Sequence, residues 1–133
     1  VYHPLANDKR FSWSLYKMPN IKELNNMASI LKGEIDFTTF CYAGDKSPSK
    51  YRYVEEAFFD YVTDIFGSKK IVFQIKANAF LWNMVRSLVG SMIHYEKNGL
   101  TAIDFKKALD AKDRKFAGPT APPNGLFLYK VDF

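Results

Sequence analysis

The sequence predicts an α+β domain with a largely antiparallel sheet and helices packed on one face of it. Three observations carry that expectation. Residues 69–77, KKIVFQIKA, alternate in character and follow a second strand-like run across the short turn FGSK, which is the pattern of a β-hairpin. Apolar residues recur at helical spacing in two places, from Ile21 to Leu31 and from Leu81 to Tyr95, as they do on the buried stripe of a helix. Strands and helices are mixed along the chain, with strand neighbours joined by hairpins, and that order belongs to the α+β class.

The elements follow in order. RFSWSLY (10–16) alternates enough for a strand. Pro19 and Asn20 then open a helix through NIKELNNMASILKG, with Asn20 as its N-cap and Gly33 as its stop. Ile21, Leu24, Met27, Ala28 and Leu31 share one face of it. DFTTFCYA (36–43) leads into GDKSPSK, a turn by its Gly, Asp, Ser and Pro content. YRYVEEAFFDYV (51–62) is expected to be a strand with a solvated acidic break. In the strand after it, Ile71, Phe73, Ile75 and Ala77 face one way and Val72, Gln74 and Lys76 the other. A helix is expected over roughly 79–97, ended by Asn98-Gly99. Thr101 caps another to about Lys112, with Asp104 in its first turn. The prolines of AGPTAPPNG (117–125) exclude regular structure there, and LFLYKVDF (126–133) closes the chain as a strand.

The 133 residues suit a single domain, 1–133, and 47% hydrophobic with 25% charged residues describes a globular chain. A net charge of +5 leans mildly toward polyanionic partners. The single cysteine, Cys41, forms no intrachain disulfide, which fits a reducing, cytoplasmic setting. No apolar run reaches the length of a membrane span, so no membrane partner is expected. The N-terminal residues carry neither a signal-peptide pattern nor an initiator Met, and the chain is expected to begin inside a longer protein. His3 and His94 are far apart in sequence, and no metal-ligand spacing is visible. A glycine-rich phosphate loop and a nucleophile–base motif are also missing, which weighs against a small-molecule enzyme.

Arg86 is the residue that asks for an explanation. Leu81, Met84, Val85, Leu88, Val89, Met92 and Tyr95 form one broad apolar face, and Arg86 falls on the other side with Asn83 and Gly90 beside it. A solvated surface arginine is one reading. Trp82 and Ile93 flank the same side, so that side is not simply polar. Gly90 costs a helix about 1 kcal/mol relative to Ala. It leaves a gap, explained either by tight helix–sheet packing or by close approach of a substrate or another backbone. Arg86 can hold a carboxylate with two parallel hydrogen bonds, although no carboxylate of this chain is clearly placed to be its partner.

Three strings, in order, carry a resemblance. They are G-x-x-D-F-x-x-F (Gly33, Asp36, Phe37, Phe40), then F-L-x-x-M-V-R-x-x-x-G ending at Gly90, then D-R-x-x-A-G-P-T-A-P-P-x-G-L-x-L from Asp113 to Leu128. Together with Lys76-Ala77-Asn78-Ala79-Phe80-Leu81, they resemble the TruA family of tRNA pseudouridine synthases over nearly the whole chain. Ile35 stands where the family often has His, and SMIHYEKNG replaces a smaller segment after Gly90. The resemblance implies an enzyme of two similar α+β halves, acting as a homodimer, that isomerises uridine to pseudouridine in the anticodon stem-loop of tRNA. It implies no cofactor. The chain resembles the C-terminal half.

The family's nucleophilic aspartate lies in an R-x-D-A-G-V-H-like motif that this sequence lacks, and the AGD of CYAGDKS does not qualify Asp45. The isolated chain is therefore expected to be inactive. Its partners are expected to be the N-terminal half and tRNA. By resemblance, Arg86 pairs with that aspartate across a cleft, and Leu126 is the apolar residue near the target base. Phe37 and Phe40 are candidates for lining the cleft, core packing being the stronger reading for both, and Gly90 for its gap. Lys46, Lys50, Arg52, Lys112, Arg114 and Lys115 are candidates for phosphate contact. For most of them an ordinary solvated surface position is the alternative. Arg114 leads this group and is also a candidate for an ion pair with Asp113 or Asp110. The rival expectation is a non-catalytic RNA-binding or dimerisation module, against which the lack of an RNP-like aromatic signature weighs.

Overall fold

A computed structural model of the chain describes residues 19–63, 65–67 and 69–122. Helix α1 (Ile21–Ser29) is followed by strand β1 (Gly33–Asp36), a 3₁₀ turn (Thr38–Phe40), the long strand β2 (Tyr51–Thr63) and strand β3 (Lys69–Ala77). Helices α2 (Met84–Lys97) and α3 (Ala102–Ala111) come next, then a 3₁₀ turn at Arg114–Phe116. Among the described residues the strands form one antiparallel sheet in the order β1-β2-β3, so the α+β architecture stands as expected. The strands expected at 10–16 and 126–133 lie outside the described residues.

Local chemistry accounts for most boundaries. The Asn20 side chain accepts hydrogen bonds from the Lys22 and Glu23 amides at 2.9 and 3.4 Å, capping α1. At α3 the Asp104 carboxylate accepts the Thr101 N–H at 2.9 Å, the return arm of a capping box. The β2–β3 ladder runs from Val54↔Ala77 to Thr63↔Lys69 with a register shift between Val54 and Glu56. Glu55 is the extra residue of this bulge, which falls at the expected acidic break.

Three boundaries differ from expectation. Helix α1 stops at Ser29 because the Ile30 and Leu31 amides turn back to Met27 and Ala28 in a tightened last turn. Gly33, at φ +100°, instead starts β1, a four-residue strand not read from the sequence. Helix α2 starts at Met84 rather than near residue 79. Asn83 before it is left-handed (φ 60°), and Asn78 is spent on β2, exchanging two hydrogen bonds with the Tyr53 backbone.

The core lies on one face of the sheet. Val54, Ala57, Phe59 and Phe73 meet Leu24, Met27, Ala28 and Leu31 of the α1 region, Met84, Leu88, Met92 and Tyr95 of α2, and Phe105, Ala108 and Leu109 of α3. Beyond the reach of β1, the edge of β2 is capped by a side chain. Asn25 donates to the Phe59 carbonyl (3.0 Å) and accepts its N–H (2.7 Å). Asn25→Ala is expected to destabilise the domain by about 1–3 kcal/mol, since both groups of a buried strand residue lose their partner; urea unfolding checks this. No helix among the described residues is long and apolar enough to cross a membrane.

Candidate active site around Arg86

Arg86 sits in the first turn of α2, and the structure holds it by its guanidinium. Nε donates to the Ala121 carbonyl at 2.8 Å and Nη1 to Asn83 Oδ1 at 3.2 Å. The Ala121 N–H in turn donates to the Arg86 carbonyl at 3.0 Å. The left-handed turn at Asn83 thus starts the helix and also aims an acceptor at the arginine. Nη2 has no partner among the described residues, and neither does any carboxylate there pair with Arg86. What results is a half-buried cation, fixed in direction, with one edge unspent.

Gly90 explains how the Ala121 segment comes so close. A Cβ at Gly90 would lie 1.9 Å from the Pro119 carbonyl oxygen and 2.7 Å from the Ala121 nitrogen. Residues 117–122 cross α2 there as a strap, fastened again by the Gly118 N–H to Ser91 Oγ at 2.8 Å. Gly90 therefore lines no cleft. The gap is filled by the backbone of this strap, not by the sheet.

A second support comes from the loop between the 3₁₀ turn and β2. Asp45 accepts the Ser47 N–H (2.8 Å), the Trp82 N–H (2.9 Å) and Lys50 Nζ (3.1 Å), and its side chain is 7% exposed. Hydrogen bonding to Ser47, then the Trp82 amide and then Lys50, holds its carboxyl far below the usual carboxylate range. A depressed folded value contributes stability that is complete above the unfolded value near about 4 and is lost as pH falls through the folded one. The loop is therefore tied to residue 82 throughout neutral and mildly acidic pH. The Tyr42 N–H donates to the Trp82 carbonyl at 3.0 Å, closing a second link.

The remaining candidates separate by environment. Phe37 and Phe40 are fully buried, Phe40 stacked on Phe105 at 5.1 Å. They are core residues and not cleft lining, because the 3₁₀ turn points both rings inward against the helices. Lys50 is occupied by Asp45 and by the Asp45 and Ser47 carbonyls. Arg52 donates to the Ser49 and Tyr51 carbonyls at 2.9 and 2.6 Å. Arg114 makes no ion pair with Asp113 or Asp110, and its Nη1 donates to the Cys41 carbonyl. Those carboxylates are bound to Lys115 (3.7 Å) and Lys106 (2.9 Å) instead. Lys46, Lys112 and Lys115 are exposed, Lys112 lying over the Tyr51 ring at 5.9 Å and Lys115 over Phe116 at 5.2 Å. Leu126 lies outside the described residues. Sequence reasoning placed Asn83 beside Arg86 without giving it a role, considered Asp45 only to exclude it as the nucleophile, and did not single out Ala121. Asn83 had a signal, since Asn is enriched in the left-handed region; a backbone acceptor such as the Ala121 carbonyl has none.

Fold and site together define an α+β domain that presents one braced arginine at the start of a helix, its Nη2 without a partner among the described residues. The family model described as tRNA pseudouridine synthase matches residues 27–133, and the chain belongs to that family. It is 46% identical over 128 residues to tRNA pseudouridine synthase A of Treponema denticola, covering 96% of this chain and 46% of that protein. The protein of the same name from Treponema pallidum (strain Nichols) is 45% identical over 114 residues, 86% of this chain and 39% of the relative. That of Borreliella afzelii is 41% identical over 136 residues, 98% of this chain and 53% of the relative. The chain spans about half the length of the curated relatives it matches.

Proposed function

We propose that this chain is the C-terminal half of a homodimeric cytoplasmic enzyme that isomerises uridine to pseudouridine in the anticodon stem-loop of tRNA. Family membership supports the reaction class, and the half-length match supports the division into halves. The observation that carries the site is the guanidinium of Arg86, braced at Nε and Nη1 and with no partner for Nη2 among the described residues. In this reading the N-terminal half supplies an aspartate that meets that edge. A cation there keeps the carboxylate ionised, the form that attacks, and a braced guanidinium sets its direction.

The reaction breaks the bond between the ribose carbon and N1 of the base and makes one to C5. N1 gains a proton and C5 loses one, so no net oxidant, reductant or co-substrate is consumed. The base must first leave its stack, at a cost of about a few kcal/mol, which RNA-backbone contacts offset. Lys46 and Lys112 are the first candidates for those contacts and Lys115, exposed and only loosely paired with Asp113 at 3.7 Å, a third, since Lys50, Arg52 and Arg114 make short hydrogen bonds to backbone or carboxylate groups of this chain.

The test is a pseudouridine assay on unmodified tRNA with the full-length protein and, separately, with the 133-residue chain. Product is expected from the first and none above background from the second. Product from the isolated chain contradicts the division of the site. Its absence with the full-length protein contradicts the activity.

A further inference from the structure

We propose that the outer face of the Trp82 indole, backed by Tyr42, is a stacking platform for one unpaired base of the RNA substrate next to the reacting uridine. The inference rests on the reading above that the substrate is RNA. Trp82 is 61% exposed and Tyr42 42%, with their ring centroids 4.7 Å apart at 49°. Exposed aromatic side chains usually keep rotational freedom, but the backbone under this pair is pinned. The Trp82 N–H is held by Asp45 and the Trp82 carbonyl by the Tyr42 N–H. A surface ordered beforehand loses little freedom when a ligand docks on it.

Its position and charge favour a nucleotide over an apolar protein surface. Trp82 adjoins Asn83, whose amide oxygen holds Arg86, so the platform and the guanidinium ride on one short stretch of chain. Asp45 is the one carboxylate within 41–50 and 78–86. It is turned inward at 7% side-chain exposure and paired with Lys50. Lys46, beside it, is exposed and provides a cation for a phosphate. Stacking accepts any base, because every base has a π-face.

The experiment uses the full-length enzyme with Trp82→Phe, Trp82→Leu and Trp82→Ala. It measures tRNA binding, single-turnover pseudouridine formation and urea unfolding, together with stem-loops carrying 2-aminopurine at each unpaired position in turn. Expected is a loss of tRNA affinity of about ten- to a hundredfold for Leu and Ala, with Phe retaining most of it and the unfolding midpoints unchanged. One 2-aminopurine position should be quenched by wild type and not by Trp82→Leu. An active wild type alongside a Leu variant of unchanged affinity overturns the platform alone. So does a lowered unfolding midpoint with unchanged affinity, which places the indole against protein. Should Trp82→Ala fail to fold, the Phe and Leu variants decide. A wild type that neither binds tRNA nor forms pseudouridine removes the reading on which the platform rests, and the platform with it.

Discussion

Gly90→Ala is expected to lower the stability of the domain and, separately, to slow the proposed pseudouridine formation by the full-length protein. In an open helix the change would stabilise by up to about 1 kcal/mol. Here the new methyl would meet backbone atoms of Pro119 and Ala121, the nearest at 1.9 Å, and neither is the far end of a flexible side chain. The strap over α2 has to move. Overpacking of this kind costs about 1–3 kcal/mol, which exceeds the helix gain. Movement of the strap also withdraws the Ala121 carbonyl from Arg86 Nε and the Ala121 N–H from the Arg86 carbonyl. If Arg86 acts at the reacting centre as proposed, its misplacement by about 1 Å costs on the order of a hundredfold, so single-turnover rates of the full-length enzyme should fall well below wild type at temperatures where the variant remains folded. Urea unfolding and single-turnover assays on the same preparation separate the two effects. Wild-type stability with wild-type turnover would mean that the strap does not brace the arginine.

Elements set by local periodicity or capping were legible in the sequence. The alternation of 69–77 and the Thr101/Asp104 cap of α3 depend on neighbours a few residues apart, and the structure has both where expected. Strand β1 was not legible, because four residues carry too little pattern and its partner, Tyr51 to Val54, is remote in sequence. The start of α2 was misplaced because apolar spacing continues through 79–82 while the backbone does not; one left-handed residue, Asn83, ends the agreement. Arg86 stood out by its place opposite the apolar face of its helix. Its brace did not, since the acceptor is a main-chain carbonyl 35 positions away. Gly90 announced a close approach without naming what approaches. Phe37 and Phe40 show the limit of motif matching: a shared string says that a position matters, and only burial says whether it serves the core or the cleft.

Arg86 is proposed to serve the reaction more than the fold. Arg86→Ala removes two hydrogen bonds from a half-buried group, one of them to the buried Ala121, and is expected to cost about 1–2 kcal/mol of stability. The catalytic cost should be larger. Loss of a fixed charge partner at a reacting centre lowers turnover by about a hundred- to a thousandfold, whereas tRNA affinity, set by many phosphate contacts, should change by less than about threefold. Arg86→Lys keeps the charge but not the planar fork, so only part of the rate should return. The deciding measurement is the single-turnover rate of the full-length enzyme at saturating tRNA for wild type, Arg86→Lys and Arg86→Ala, with folding verified by thermal unfolding. Rates are expected to fall in that order at nearly constant tRNA affinity. An Arg86→Ala enzyme that is folded and turns over like wild type would contradict this role for Arg86.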